Sequence, residues 1–358
     1  MSHVRWDRDQ GRLVSLDACR GLVMLAMASN GLAVAQVAKA FPDSWIWQNL
    51  AYQLDHVAWT GCAFWDLIQP SFMFIVGVAL PFSYGRRADS GESFLSMLGH
   101  ALWRAVVLVL FAILLASNGK RQTDFIFTNV LGQIGLGYIV VFLVGRYFWA
   151  QLVAVVAILG AYWYAFYQHP LPGSESAVVA GLPQGWQVFT SSLAAHWNPH
   201  TNYAADFDRW FLNLFPRSEP FVFNAGGYQT LNFVPSIATM IFGAMTGMML
   251  RSSLPQRTKL VRVIFGGIAC LAFGMLVDHT IWPTWFANSV EWAAGAVFGG
   301  NAEMWPFIDR NWTLCPVVKR IWTPSWTVFS TGWALLLLAG FFYVIELKDK
   351  RRWAFPFV

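Results

Sequence analysis

Apolar residues in this chain run in long unbroken blocks, not in the narrow stripes of a helix on a soluble protein. A bilayer-crossing helix needs roughly 20 apolar residues. Reading for that length predicts about eight spans, at 13–36, 61–84, 96–117, 127–145, 148–168, 231–250, 260–280 and 325–346. The polar connections sort into two kinds. One set is short and basic: Arg5, Arg8 and Arg12, then Arg86 and Arg87, Arg146, then Arg251, Arg257, Lys259 and Arg262, then Lys348, Lys350, Arg351 and Arg352. The other set is longer and mixed in charge, with Lys39, Lys120, Arg121, Arg209, Arg217, Arg310, Lys319 and Arg320. The two sets alternate along the spans. Basic residues concentrate on the cytoplasmic side of membrane proteins, so the N-terminus and the short loops are predicted to be cytoplasmic. The outer segments 170–230 and 281–324 are too long for plain turns. They are dense in Trp, Pro, Gly and Asn, as in "AHWNPHTNYAADFDRWFLNLFPR", and are expected to form an ordered outer cap.

Composition agrees. Of 358 residues, 56% are hydrophobic and 12% charged, against about 25% charged in soluble domains. The chain therefore reads as an all-α integral membrane protein, a polytopic transmembrane helix bundle forming one domain over 1–358. Its net charge of +5 sits in loops and is explained by topology, so no nucleic-acid partner is expected. Cys19, Cys62, Cys270 and Cys315 show no CxxC or Cys-His spacing, which predicts neither a disulfide framework nor a zinc site. The first apolar block is interrupted by Asp17, Arg20 and Asn30, which is not the pattern of a secretory signal.

Polar groups inside apolar spans are costly, about 2.5–3.5 kcal/mol for a charge at mid-bilayer on insertion scales. Counted along their helices, Asn30 late in span one and Asp66 early in span two reach similar depth from the outer side, with His56 just above. Taken singly, Asn30 and Asp66 fit interhelical hydrogen bonds and His56 fits an interfacial position. Their shared level also fits one functional site. Asp17 and Arg20, three apart, can pair on a helix, and Arg20 also suits an anionic ligand entering from the cytoplasm. Arg104 inside span three calls for a partner. Asn129 and Gln133 share a helix face, either lining a cavity or joining helices. His196 and His200 have a metal-like spacing, but Asn198 and Pro199 between them oppose the helix it requires, and no metal site is expected.

The blocks "RLVSLDACRGLVMLAMASNG" and "LDHVAWTGCAFWDLIQPSFMFIVGVALPFS" resemble the heparan-α-glucosaminide N-acetyltransferase family of transmembrane acyltransferases. The shared positions are Arg12, Ser15, Asp17, Arg20, Gly21, Asn30, His56, Trp59, Gly61, Asp66, Pro70, Phe72, Phe74 and Gly77. The resemblance implies acetyl transfer from cytosolic acetyl-CoA to an amino sugar or glycan across the membrane, with His56 catalytic and Asn30 contacting the acetyl group. It also implies a homodimer, and a bacterial member in the cytoplasmic membrane because the large luminal domain of the lysosomal branch is missing. The family pattern continues beyond the eighth span, so the chain is expected to stop short of it. Where the lysosomal branch has Gln-Arg in span four, this chain has Gly132-Gln133.

On this reading Asn30 donates a hydrogen bond to the thioester oxygen, His56 either acts as general base or carries the acetyl group as a covalent acetyl-histidine, and Asp66 or Asp55 orients its ring. Arg20, Asn129 and Gln133 are the expected acetyl-CoA contacts. Trp59, Asp208, Arg209 and Asn232 are the expected acceptor contacts, with Trp197 and Trp210 as further stacking surfaces. Two rival readings use the same residues: a transporter or flippase without chemistry, and a scaffold in which Asn30 and Asp66 only join helices.

Overall fold

The computed structural model describes residues 13–171, 189, 193–283, 286–290 and 312–357. Parts of the two long outer segments therefore lie outside the described residues. Among the described residues the regular elements are all helices, with two isolated β-bridges. We number the helices α1 (Val14–Ala28), α2 (Val34–Ala40), α3 (Trp45–Gln53), α4 (Ile68–Asp89), α5 (Phe94–Ser117), α6 (Val130–Val144), α7 (Phe148–Gln168), α8 (Tyr203–Phe211), α9 (Phe233–Arg251), α10 (Gln256–Val277) and α11 (Pro324–Phe342).

Six helical stretches among the described residues are long and apolar enough to cross a bilayer: Phe64–Asp89, Phe94–Ser117, Phe148–Gln168, Thr230–Arg251, Gln256–Val277 and Pro324–Leu347. The protein is thus a polytopic all-α membrane protein. Two of the eight expected spans are shorter than hydropathy suggested. Val130–Val144 has 15 residues, about 22 Å at 1.5 Å per residue, short of a ~30 Å hydrocarbon core. The expected 13–36 span is broken. After α1 a 3-10 turn spans Asn30–Ala33, and Leu32 (φ 52°) and Ala33 (φ 55°) lie in the left-handed region before α2. That backbone costs a residue with a β-carbon, and hydropathy carries no trace of it.

α4 and α9 form the centre of the bundle. Their backbones meet so closely that a β-carbon on Gly77 would sit 1.9 Å from the Met240 carbonyl oxygen. One on Gly243 would sit 2.1 Å from the Phe74 carbonyl oxygen. Small residues let membrane helices approach to backbone contact where burial of apolar surface supplies little drive. α5, α7 and α10 lie outermost and present Leu110, Val153 and Phe265 outward, as lipid-facing helices do.

At the end of the bundle where α4 begins, an ordered cap includes α8 and residues 312–323. It is closed by buried aromatics. The Trp59 indole donates to the Trp197 carbonyl at 3.1 Å, Phe166 stacks on Trp197 at 4.5 Å, and the Tyr162 hydroxyl donates to the Ile321 carbonyl at 2.9 Å. Asp278, at the end of α10, holds residues 312–323 in place. Its carboxylate accepts the Val317 N–H at 2.6 Å and the Thr280 N–H and hydroxyl. Gly61 N–H donates to the Val317 carbonyl at 3.0 Å, and Thr60 bridges Val318. The segment is thereby pinned against the turn before α4.

Candidate functional site

The turn before α4 explains why a carboxylate sits among apolar residues. Phe64–Leu67 is a 3-10 turn leading into the helix, so Asp66 stands at the helix start and not deep inside it. Helix starts leave N–H groups without partners and favour negative charge. Asp66 Oδ2 accepts from Ala63 N–H at 3.1 Å and Val57 N–H at 3.2 Å. The carboxylate folds the chain back over itself and holds residues 57–63 in place.

Oδ1 of the same carboxylate faces His56 Nδ1 at 2.7 Å and Lys319 Nζ at 3.3 Å. An ionised carboxylate only accepts. The imidazole therefore carries its proton on Nδ1 and keeps the Nε2 lone pair free, as in histidines oriented by a carboxylate. Asp66 is 1% exposed and Lys319 4% by side chain, whereas His56 is 33% exposed. One member of the group thus reaches the open while the other two are buried. Burial pushes the Lys319 ammonium down to about 8, against the pull of Asp66. Lys319 Nζ also lies 3.1 Å from His56 Nδ1; two donors tolerate that distance because both point at one anionic oxygen.

Tyr228 closes the site from the side. Its ring meets the His56 ring edge-on at 6.3 Å, with Arg320 at 5.4 Å and Lys319 at 5.9 Å from its centroid. Cations near an aromatic face gain from its quadrupole. Arg320 also donates to the carbonyls of Val57 (3.1 Å) and Gly226 (2.5 Å), tying together the segments that carry His56, Tyr228 and Lys319. These groups border a cavity of about 190 Å³ whose wall also includes Met27, Trp65, Ile68, Gln69, Phe72 and Val130. The cavity is partly open, so it can take the reacting end of a larger molecule.

Of the expected catalytic residues, His56 and Asp66 meet. Asn30 lies in the 3-10 turn after α1; its side chain is outside the described residues, and Met27, near the end of α1, lines the cavity. Arg20 pairs with Asp17 at 3.0 Å. Asn129 caps α6, its Oδ1 accepting Gly132 N–H at 2.9 Å and its Nδ2 donating to the Ala112 carbonyl at 3.0 Å, so its polar atoms are engaged in structure. Gln133 is buried and donates to the Thr128 carbonyl at 3.1 Å. Its carbonyl oxygen has no partner among the described residues.

The expected acceptor contacts are scattered. Trp59 and Trp197 are 1% exposed, which closes their faces to a sugar, and Trp210 is exposed on the cap. Asp208 is buried and accepts Thr230 N–H at 2.9 Å; burial raises its carboxyl to about 6. Arg209 pairs with Asp206 and donates to the His200 carbonyl at 3.0 Å. Asn232 donates to the Arg320 carbonyl at 2.9 Å and so buttresses the Lys319-Arg320 segment. Arg104 lies over the Tyr138 ring at 5.1 Å. The 3-10 turn holding His196 ends at Trp197, and no cluster of three metal-ligating side chains occurs among the described residues.

Sequence reading missed Lys319, Tyr228 and Gln69. Lys319 had a signal: "LCPVVKRIW" sets two cations in an apolar, aromatic run, where they were counted only as loop charge. Gln69 had one too, as a polar residue three positions after Asp66 in the same apolar span, whereas Tyr228 had none, because only the fold brings it to His56.

The family model for heparan-alpha-glucosaminide N-acetyltransferase, catalytic, matches residues 12–191, half of the chain. That stretch contains His56 and Asp66 and ends before Tyr228 and Lys319. One curated relative, heparan-alpha-glucosaminide N-acetyltransferase of Mus musculus, is 29% identical over 99 residues, covering 26% of this chain and 15% of the relative. The match thus spans well under a quarter of the relative's length.

Proposed function

The chain belongs to the heparan-alpha-glucosaminide N-acetyltransferase catalytic family, and we propose that it moves an acetyl group from acetyl-CoA on the cytoplasmic side to the amine of an amino sugar or glycan on the outer side. One observation carries this reading: an imidazole whose Nδ1 is fixed 2.7 Å from a buried carboxylate, with its ring at a cavity of about 190 Å³. The distribution of basic residues favours a cytoplasmic position for the opposite end of the bundle, and on this reading the acceptor meets His56 from outside.

Acetyl-CoA supplies an activated acyl group. The protein supplies a base, a fixed orientation and a partly dehydrated pocket. His56 Nε2 takes a proton from the attacking amine as the new C–N bond forms. The C–S bond breaks, and the imidazolium returns that proton to the departing thiolate, leaving amide and thiol as products. Asp66 holds the ring in the tautomer this needs and balances the transient positive charge, the role a buried carboxylate plays beside a catalytic histidine. Lys319 offsets the Asp66 charge in the resting state, which allows the carboxylate to stay ionised in its buried setting. Asn30 is the expected donor to the thioester oxygen, and Arg20 the expected cation near the donor's entry.

A carrier without chemistry has no use for a partly exposed histidine whose Nδ1 is held by a buried carboxylate. The test is labelled acetyl-CoA with a panel of amino sugars on membranes holding wild type or His56→Ala. Wild type should acetylate at least one acceptor. The variant should fall by about 10²–10⁴-fold, the usual worth of a general base, at equal expression. Equal turnover in both would overturn the reading.

A further inference from the structure

We infer that Gln69 is a second hydrogen-bond donor to the acyl carbonyl, a catalytic residue one helical turn beyond Asp66. The inference rests on the acetyl-transfer reading above and assigns a group within that site.

Three observations carry it. Gln69 lines the same cavity as His56, Lys319 and Tyr228. It follows Asp66 by three residues at the start of α4, about one turn and roughly 5 Å further along the helix, away from the outer rim and toward the side from which the donor would come. Its carboxamide makes no hydrogen bond with any described residue, although the side chain is partly buried within the candidate span Phe64–Asp89. A polar side chain in a membrane helix normally joins helices through a hydrogen bond, and this one has no such partner among the described residues. Its amide therefore has donors free for a bound carbonyl, without breaking an existing hydrogen bond.

The chemistry fits the position. Beyond His56, Lys319 and Tyr228, the cavity wall is mainly apolar, with Met27, Ile68 and Phe72 among its residues. When an amine adds to a thioester, negative charge builds on the carbonyl oxygen, and a donor fixed there in a low-dielectric pocket gains more than it would in water. Lys319 is committed to Asp66. Among the described residues of the wall, Gln69 is the uncommitted neutral amide, free to turn its N–H toward that oxygen while His56 holds the proton of the nucleophile.

The experiment compares wild type, Gln69→Leu and Gln69→Glu in reconstituted vesicles, with acetyl-CoA and acceptor each varied. It also measures binding of free CoA, which has the thiol and nucleotide but no acyl carbonyl. Both variants should lose about 10²–10³-fold in kcat, the usual effect of removing one such donor. Acceptor KM should stay level, and CoA should bind as in wild type. A purely structural role would weaken CoA binding alongside kcat. Wild-type kcat in Gln69→Leu, or a parallel loss of CoA affinity, overturns the inference. Absence of acetyl transfer by wild type would overturn the acetyltransferase reading and this inference with it, whereas an active wild type with unaffected variants removes this inference alone.

Discussion

Lys319 Nζ lies 3.3 Å from the Asp66 oxygen that also receives His56 Nδ1. A lysine from the chain's last third thus completes a pair made in its first. Two donors on one carboxylate oxygen mean that Asp66 both orients the base and compensates a buried cation, so its loss should have two separable effects. Asp66→Asn is expected to lower kcat by about 10²–10⁴-fold, because an amide does not enforce the Nδ1–H tautomer. It should also destabilise the fold by about 3–5 kcal/mol, because Lys319 is left buried without its counter-charge. Turnover assays and detergent melts on the same preparation separate the two.

The pH dependence of stability follows from Lys319. Burial lowers its pKa from 10.5 to about 8, so between those values the unfolded chain holds a proton that the folded one has released. Stability from this group therefore rises with pH from about 8 to about 10.5 and is lost as pH falls through about 8. The melting temperature of wild type relative to Lys319→Met should climb across that window. A difference that is flat from pH 7 to 10 would count against a depressed lysine.

Asp278 anchors the segment that delivers Lys319, through the Val317 N–H at 2.6 Å. Asp278→Ala should loosen residues 312–323 and expose the lysine, which is 3% exposed in the folded protein. Amine-reactive labelling followed by peptide mapping should show Lys319 protected in wild type and modified in the variant. Acetyl transfer should fall in step.

Gly243→Leu tests the contact between α4 and α9, where even a β-carbon would lie 2.1 Å from the Phe74 carbonyl oxygen. The helices must separate, at a cost of 1–3 kcal/mol or more. Because α4 also carries Asp66 and Gln69, activity should drop together with the melting temperature. Gly160→Leu, where an added β-carbon meets nothing within 4 Å, is the matched control and should change neither.

Long apolar blocks made the membrane bundle legible, and "LDHVAWTGCAFWD" made His56 and Asp66 legible. What hydropathy misplaced was backbone detail. It ran the first span straight through Leu32 and Ala33, whose positive φ values break the run between α1 and α2 for reasons unrelated to polarity. It also read Asp66 as buried along a helix when the residue closes the turn that starts one. Trp59 looked like a platform for a sugar because composition does not say whether an indole is buried; Trp59 is 1% exposed, with its N–H given to the Trp197 carbonyl. Lys319 stayed hidden because a charge in a loop and a charge folded under a loop read the same.

The family match ends at residue 191, yet the pocket is closed by Tyr228 and Lys319. A hybrid made by grafting only the matching half onto a relative would keep the base and exchange its electrostatic counterweight. Donor and recipient would then have to agree on a cation and a ring at two distant places in the chain. Compatibility between homologues should therefore be decided by the unmatched half as much as by the matched one.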